Sequence, residues 1–153
     1  MSGALVVDAS VAVKWLLPEP DSPQAEQLLA GGARLVAPDL LLIEVANVLW
    51  RKRRAAQLSD GEAAAMQEDL QQFFERLYPV GPLAARALAI SLALDHPVYD
   101  CVYLALAERE GCPLVTADAR FLAKAAGFDL AELVSLADIA PETGPDTDPE
   151  ISR

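Results

Sequence analysis

Residues 5–17 read "LVVDASVAVKWLL", an apolar run broken by one acid, Asp8, and otherwise only by Ser10 and Lys14. A short apolar run, an Asp, and then a periodic apolar segment stopped by Pro18 read as a buried strand, a turn and a helix. Asp8 then has two readings. Its side chain can accept the free N–H groups of the helix's first turn, or it can belong to a set of acids gathered for chemistry. The second reading needs partners elsewhere in the chain.

Outward from that stretch, strand and helix patterns alternate. "ARLVAP" (33–38), "PLVTA" (113–117) and "AELVSL" (131–136) read as further strands. Between them lie helical patterns. "SPQAEQLLAGG" (22–32) is closed by glycines, and "PDLLLIEVANVLWRKRRAA" (38–56) carries an apolar stripe at Leu41, Val45, Val48 and Leu49. Ser59 and Glu62 form a capping box that opens "SDGEAAAMQEDLQQFFERLY" (59–78), a helix expected to pair antiparallel with the one before it. "PLAARALAISLAL" (82–94), "YDCVYLALAERE" (99–110) and "DARFLAKAAG" (118–127) complete the set. Strands separated by helices predict a three-layer α/β/α fold with a mainly parallel sheet.

The 153 residues suit one domain, placed at residues 1–140. "PETGPDTDPEISR" (141–153), with Pro141, Pro145, Pro149 and Gly144 among its acids, is expected to be a disordered acidic tail. No apolar run reaches the length of a membrane span, and "MSGALVVD" lacks a basic n-region and a cleavage site, so a cytoplasmic protein is expected. Cys101 and Cys112 have no C-x-x-C or His-rich context and read as thiols. The net charge of -11 argues against a nucleic-acid surface taken alone, but "RKRR" (51–54) concentrates positive charge in one place. A helix C-terminus accounts for that cluster equally well.

In parallel sheets, ligands sit beyond the carboxyl ends of the strands, where strand order reverses. Asp8 and Asp118 each follow a strand directly and belong at that edge. Asp100 opens an otherwise apolar helix, and Glu44 interrupts "LLLIEVANVL". Glu44, Asn47 and Arg51 share a helix face through their three- and four-residue intervals. Each acid has an ordinary structural reading as a cap or surface residue. Together they are four acids that each break an apolar segment.

Four pieces in this order, "VVDASV", "PDLLLIEVANVLWR", "HPVYDCVYLALAE" and "PLVTADARFL", resemble the PIN domain ribonucleases, in particular the VapC-like toxins of toxin and antitoxin pairs. The resemblance runs from about Val6 to Leu136. It implies a Mg2+- or Mn2+-dependent ribonuclease site made from Asp8, Glu44, Asp100 and Asp118, with Ser10, Thr116 and Asn47 as polar supports. Asp8 and Asp100 are assigned as direct ligands, and Glu44 and Asp118 as a second ligand set or as holders of water. Hard carboxylate oxygens suit these ions, and an ion so held can activate a water against an RNA phosphodiester. The resemblance further implies 5'-phosphate and 3'-hydroxyl products and a small cognate antitoxin. Arg51 is expected to contact RNA phosphate, and a homodimer is the expected assembly.

His96, before Pro97, is expected in a loop outside the site, and Asp95 at a helix end or turn. Trp15 and Trp50 are expected in the core or a subunit interface, with apolar surface around them for the antitoxin. Two other functions fit parts of the pattern. One is a catalytically silent PIN-like binding partner. The other is a phosphoacceptor receiver-type module, which calls for adjacent acids after the first strand, and "VVDAS" does not supply them.

Overall fold

The computed structural model describes residues 3–140, so the tail expected over 141–153 lies outside the described residues. Five strands form one sheet in the order β3-β2-β1-β4-β5, and every pairing is parallel. The strands are β1 (Ala4–Val7), β2 (Arg34–Pro38), β3 (Arg76–Tyr78), β4 (Leu114–Thr116) and β5 (Leu133–Ser135). The helices between them are α1 (Ala9–Leu16), α2 (Ser22–Ala30), α3 (Leu40–Arg54), α4 (Asp60–Leu70), α5 (Ala84–Leu94), α6 (Val98–Glu110) and α7 (Ala119–Ala125).

Parallel crossovers are right-handed. The chain steps from β1 to β2 to β3 in one direction, so α1 to α4 cover one face. It then returns across the sheet to β4 and β5, which puts α5, α6 and α7 on the other face. The result is the expected three-layer α/β/α sandwich. Covering on both faces explains why Leu5, Val6 and Val7 are consecutive and all buried, without polar alternation. It also explains α6, buried without a break from Cys101 to Ala107, because a helix apolar all round belongs inside. Full burial of a side chain such as Leu104 contributes about 1.5–3 kcal/mol.

The expected helix over 59–78 is shorter than its sequence pattern. The capping box forms, with Glu62 N–H donating to Ser59 Oγ and Ser59 N–H to Glu62 Oε1, both at 3.1 Å. The helix ends at Leu70, a 3-10 turn follows over Gln71–Phe73, and Arg76–Tyr78 forms β3 against β2. Three residues at a sheet edge are too few to show a period of two. The pair α3 and α4 is antiparallel as expected, since Gln67 Nε2 donates to the Leu42 carbonyl at one end and Arg53 pairs with Asp60 at the other.

Trp15 is half-buried against Phe73 and Phe74, with its Nε1 donating to the Ala25 carbonyl at 2.7 Å. Trp50 is not in the core: it is 55% exposed, beneath the Arg54 guanidinium. Cys101 and Cys112 are free thiols. Among the described residues no helix is long and apolar enough to cross a membrane.

Candidate active site

Strand order reverses at β1, which has β2 on one side and β4 on the other. The crevice beyond the carboxyl ends of β1 and β4 is therefore where this topology places a site. Asp8 follows β1 there. It is 4% exposed, one of only two buried polar residues among those described, and Thr116 at the end of β4 is the other. Asp8 Oδ1 accepts from Ser10 Oγ at 2.6 Å and from the Val11 N–H at 3.3 Å. The cap is real, and the carboxylate is also buried.

Ser10 ties the two strand ends together. Its Oγ lies 3.4 Å from Thr116 Oγ1 and accepts from the Ala117 N–H at 2.9 Å. Thr116 Oγ1 in turn accepts from the Asp118 N–H at 3.1 Å. Ser10 and Thr116 thus link the Asp8 carboxylate to the backbone of Ala117 and Asp118.

Helices α3 and α6 bring the other two. On α3, Leu41, Val45 and Leu49 are buried, and Glu44 sits at the border of that stripe. Its Oε1 accepts from the buried Tyr103 hydroxyl at 2.6 Å. Asp100 lies in the first turn of α6, three residues before Tyr103 and on the same face. Its Oδ2 is 2.6 Å from His96 Nε2. Asp118 caps α7, with Oδ1 accepting from the Arg120 and Phe121 N–H groups at 2.9 and 3.1 Å.

The electrostatics show which acids feel one another. Burial, with the Asp100 charge adding to it, pushes the Asp8 carboxyl up to about 7, against the pull of its hydrogen bonds. Burial raises Glu44 as well, and Asp100 again adds to the effect while the Tyr103 bond opposes it. The Tyr103 hydroxyl is raised by burial and by the charges of Glu44, Asp8 and Asp100, so it stays protonated and donates. The Asp100 charge thus acts against both Asp8 and Glu44. Among the described residues no Lys or Arg pairs with any of them, since the nearby Lys14 is bound to Glu19 at 2.6 Å.

A hard divalent cation fits this donor set in kind: all oxygen, and anionic in excess of any local base. Asp100 lies close enough to act on Asp8 and Glu44, while Asp118 shares a groove with Asp100. Among the described residues no three His, Cys, Asp or Glu side chains are grouped at metal-holding distance. Each of the four acids has one oxygen turned toward a protein donor.

Two grooves open on either side. One, about 730 Å3, is lined by Ser10, Glu44, Asn47, Arg51, Lys52 and Ala117 among others. The other, about 750 Å3, is lined by Asp95, His96, Asp100, Asp118, Arg120 and Lys124 among others. Asn47 and Arg51 therefore share a groove with Glu44. His96 and Tyr103 were not expected at the site. His96 does lie in a loop, but its ring stacks on Phe121 at 4.9 Å between centroids and reaches Asp100. The available signal was spacing, since both residues stand one turn from Asp100.

A family profile described as PIN domain matches residues 5–127. Ribonuclease VapC3 of Pyrobaculum aerophilum is 40% identical over 122 residues, covering 78% of this chain and 93% of the relative. A crystal structure of another Pyrobaculum aerophilum protein superposes with TM-score 0.67 at 23% identity, covering 90% of this chain and 86% of that one. A toxin-antitoxin complex from Klebsiella pneumoniae gives TM-score 0.62 at 16% identity, covering 86% and 97%. The chain belongs to the PIN domain family, in its VapC-like ribonuclease branch.

Proposed function

We propose that this protein is a Mg2+- or Mn2+-dependent endoribonuclease, the toxin of a toxin-antitoxin pair, whose site is Asp8, Glu44, Asp100 and Asp118. The observation that carries the proposal is that Asp8 after β1 and Glu44 on α3 are both raised by burial and by the charge of Asp100 on α6, beside the crevice where strand order reverses. Likeness to a VapC ribonuclease at 40% identity supports the reaction class.

Asp8 and Asp100 are assigned as direct ligands, with Glu44 and Asp118 completing the oxygen set or holding water. A divalent ion held there neutralises phosphodiester charge and lowers the pKa of a water to make it nucleophilic. The chain's own groups do the positioning. Ser10 and Thr116 fix Asp8, Tyr103 fixes Glu44, and His96 fixes Asp100. Asn47 and Arg51 border the groove beside Glu44 and are assigned to hold the RNA backbone. Attack in line with the leaving 3' oxygen gives 5'-phosphate and 3'-hydroxyl ends.

The likeness to a toxin-antitoxin complex supports a small cognate antitoxin that covers the site, placing a cationic side chain among the carboxylates. Exposed Trp50 and Ile43 on α3 offer apolar contact for it. A homodimer and a cytoplasmic location complete the proposal. The test is RNA cleavage by protein stripped with chelator, repurified, and assayed with and without added Mg2+ or Mn2+. Metal-dependent cleavage with the stated end groups is expected, and activity that persists in chelator would overturn the metal assignment.

A further inference from the structure

We propose that the groove bordered by His96, Arg120 and Lys124 is a second backbone subsite for single-stranded RNA, so that the strand crosses the carboxylates from the Arg51 groove into this one. The inference rests on the ribonuclease reading and adds to it a path for the strand.

Three observations carry it. First, the two grooves meet at the site. Ala117 lines the first and the next residue, Asp118, lines the second, so the turn after β4 is the ridge between them. A strand lying over that ridge has its phosphodiester at the acids and its flanking nucleotides in the two grooves.

Second, the cations are distributed in the same way. In this acidic chain Lys14, Arg34, Arg53 and Arg86 are bound to carboxylates. Of the seven described Lys and Arg residues in no ion pair, Arg51, Lys52, Arg120 and Lys124 line the two grooves, two in each; Arg54 and Arg76 lie over the Trp50 and Tyr78 rings, and Arg109 is in the last turn of α6. Lys124 Nζ rests on the Asp95 carbonyl at 3.3 Å, which holds the ammonium at the groove's edge without cancelling its charge.

Third, the second groove contains one acid that the site does not use. Asp95, in the left-handed conformation at the end of α5, borders the same space. With Asp100 and Asp118 committed to a divalent ion, Asp95 opposes the two cations and weakens their hold on phosphate. That gives the proposal a variant of opposite sign.

The experiment measures salt dependence of binding by fluorescence anisotropy, using a labelled single-stranded RNA a dozen nucleotides long, with Mg2+, in cleavage-impaired Asp8→Asn protein. Each lost phosphate contact lowers the log-log salt slope by about 0.7 for single strands. Adding Arg120→Ala and Lys124→Ala together should make the slope shallower by about 1.4. Both side chains are exposed, so the fold is not at risk. Asp95→Asn should tighten binding, and Asn tolerates the left-handed backbone. Arg109→Ala is the control. It removes an equally unpaired cation about 13 Å along α6 from Asp100, at 1.5 Å per residue, and should leave the slope unchanged. With otherwise wild-type protein, the Arg120 and Lys124 double variant should raise KM for the long RNA by a larger factor than it lowers kcat.

A double variant with an unchanged slope, or a shift matched by Arg109→Ala, overturns the subsite. A protein that cleaves RNA normally under those results keeps the ribonuclease reading. A wild-type protein that neither binds nor cleaves RNA with Mg2+ removes that reading, and the subsite with it.

Discussion

His96 Nε2 lies 2.6 Å from Asp100 Oδ2, one helical turn away across the entrance to α6. A carboxylate only accepts hydrogen bonds, so the tautomer that carries its proton on Nε2 is the one that serves this contact. Pro97 between them leads the chain into the helix, and Phe121 stacks on the imidazole from α7. The ring therefore has little freedom, and it holds one oxygen of Asp100 in place.

From that contact, His96→Ala should weaken Mn2+ affinity and metal-dependent cleavage by about 10- to 100-fold, the usual effect of removing a group that orients a metal ligand. His96→Gln retains an N–H donor at a similar reach and should recover much of the loss. Calorimetric Mn2+ titration of the two variants reads this independently of turnover. Equal affinities in wild type and His96→Ala would show that α6 alone positions Asp100.

Asp8→Asn, Glu44→Gln, Asp100→Asn and Asp118→Asn should each lower kcat by at least about 100-fold, since each removes a charge from the proposed ion site. The folds should survive. Asn caps a helix about as well as Asp, so the α7 cap at Asp118 persists and circular dichroism should not change. Wild-type rates in two of these variants, in preparations free of host ribonuclease, would refute the assignment.

Tyr103→Phe removes only the hydroxyl that donates to Glu44 Oε1, because Phe fills the same buried space. Hydrogen bonds to charged groups contribute about 1.5–3 kcal/mol, with the lower end expected here because Glu44 is only partly buried. Chemical denaturation should show that loss, and cleavage should fall by less than in Glu44→Gln. A variant as stable as wild type would mean that Glu44 finds another donor when Tyr103 cannot supply one.

The layers of the fold were legible because the buried strands and helices have distinct apolar patterns. "ALVV" and "LVT" are continuous runs, and α3 repeats at helical spacing. The edge strand β3 was not legible. Arg76 and its two neighbours are exposed or half-buried, and a helical pattern runs up to them. At the site, the acids stood out because each breaks an apolar segment. His96 and Tyr103 did not, for opposite reasons. A histidine before proline looks like loop, and a tyrosine in an apolar helix looks like core. Both descriptions are correct, and neither shows that the polar atom ends on a carboxylate from another turn or another helix.

Asp8 gives the metal-free protein a pH-dependent stability. Its carboxyl is raised from 3.8 to about 7, chiefly by burial. The folded state therefore holds a proton that the unfolded chain has released between those values. Stability is fully present below about pH 4 and is lost as pH rises toward and through 7, by an amount of the order of a few kcal/mol. Thermal melts in chelator should show Tm falling across that window, on top of the chain's other titrations. Asp8→Asn lacks the ionisation while keeping the cap, so its Tm should fall less and exceed the wild-type value at pH 8. Mg2+ binds the folded state preferentially and should raise the wild-type Tm at pH 8 by mass action, and the variant's by less. Parallel pH profiles for the two metal-free proteins, with equal Mg2+ responses, would leave Asp8 as a helix cap and nothing more.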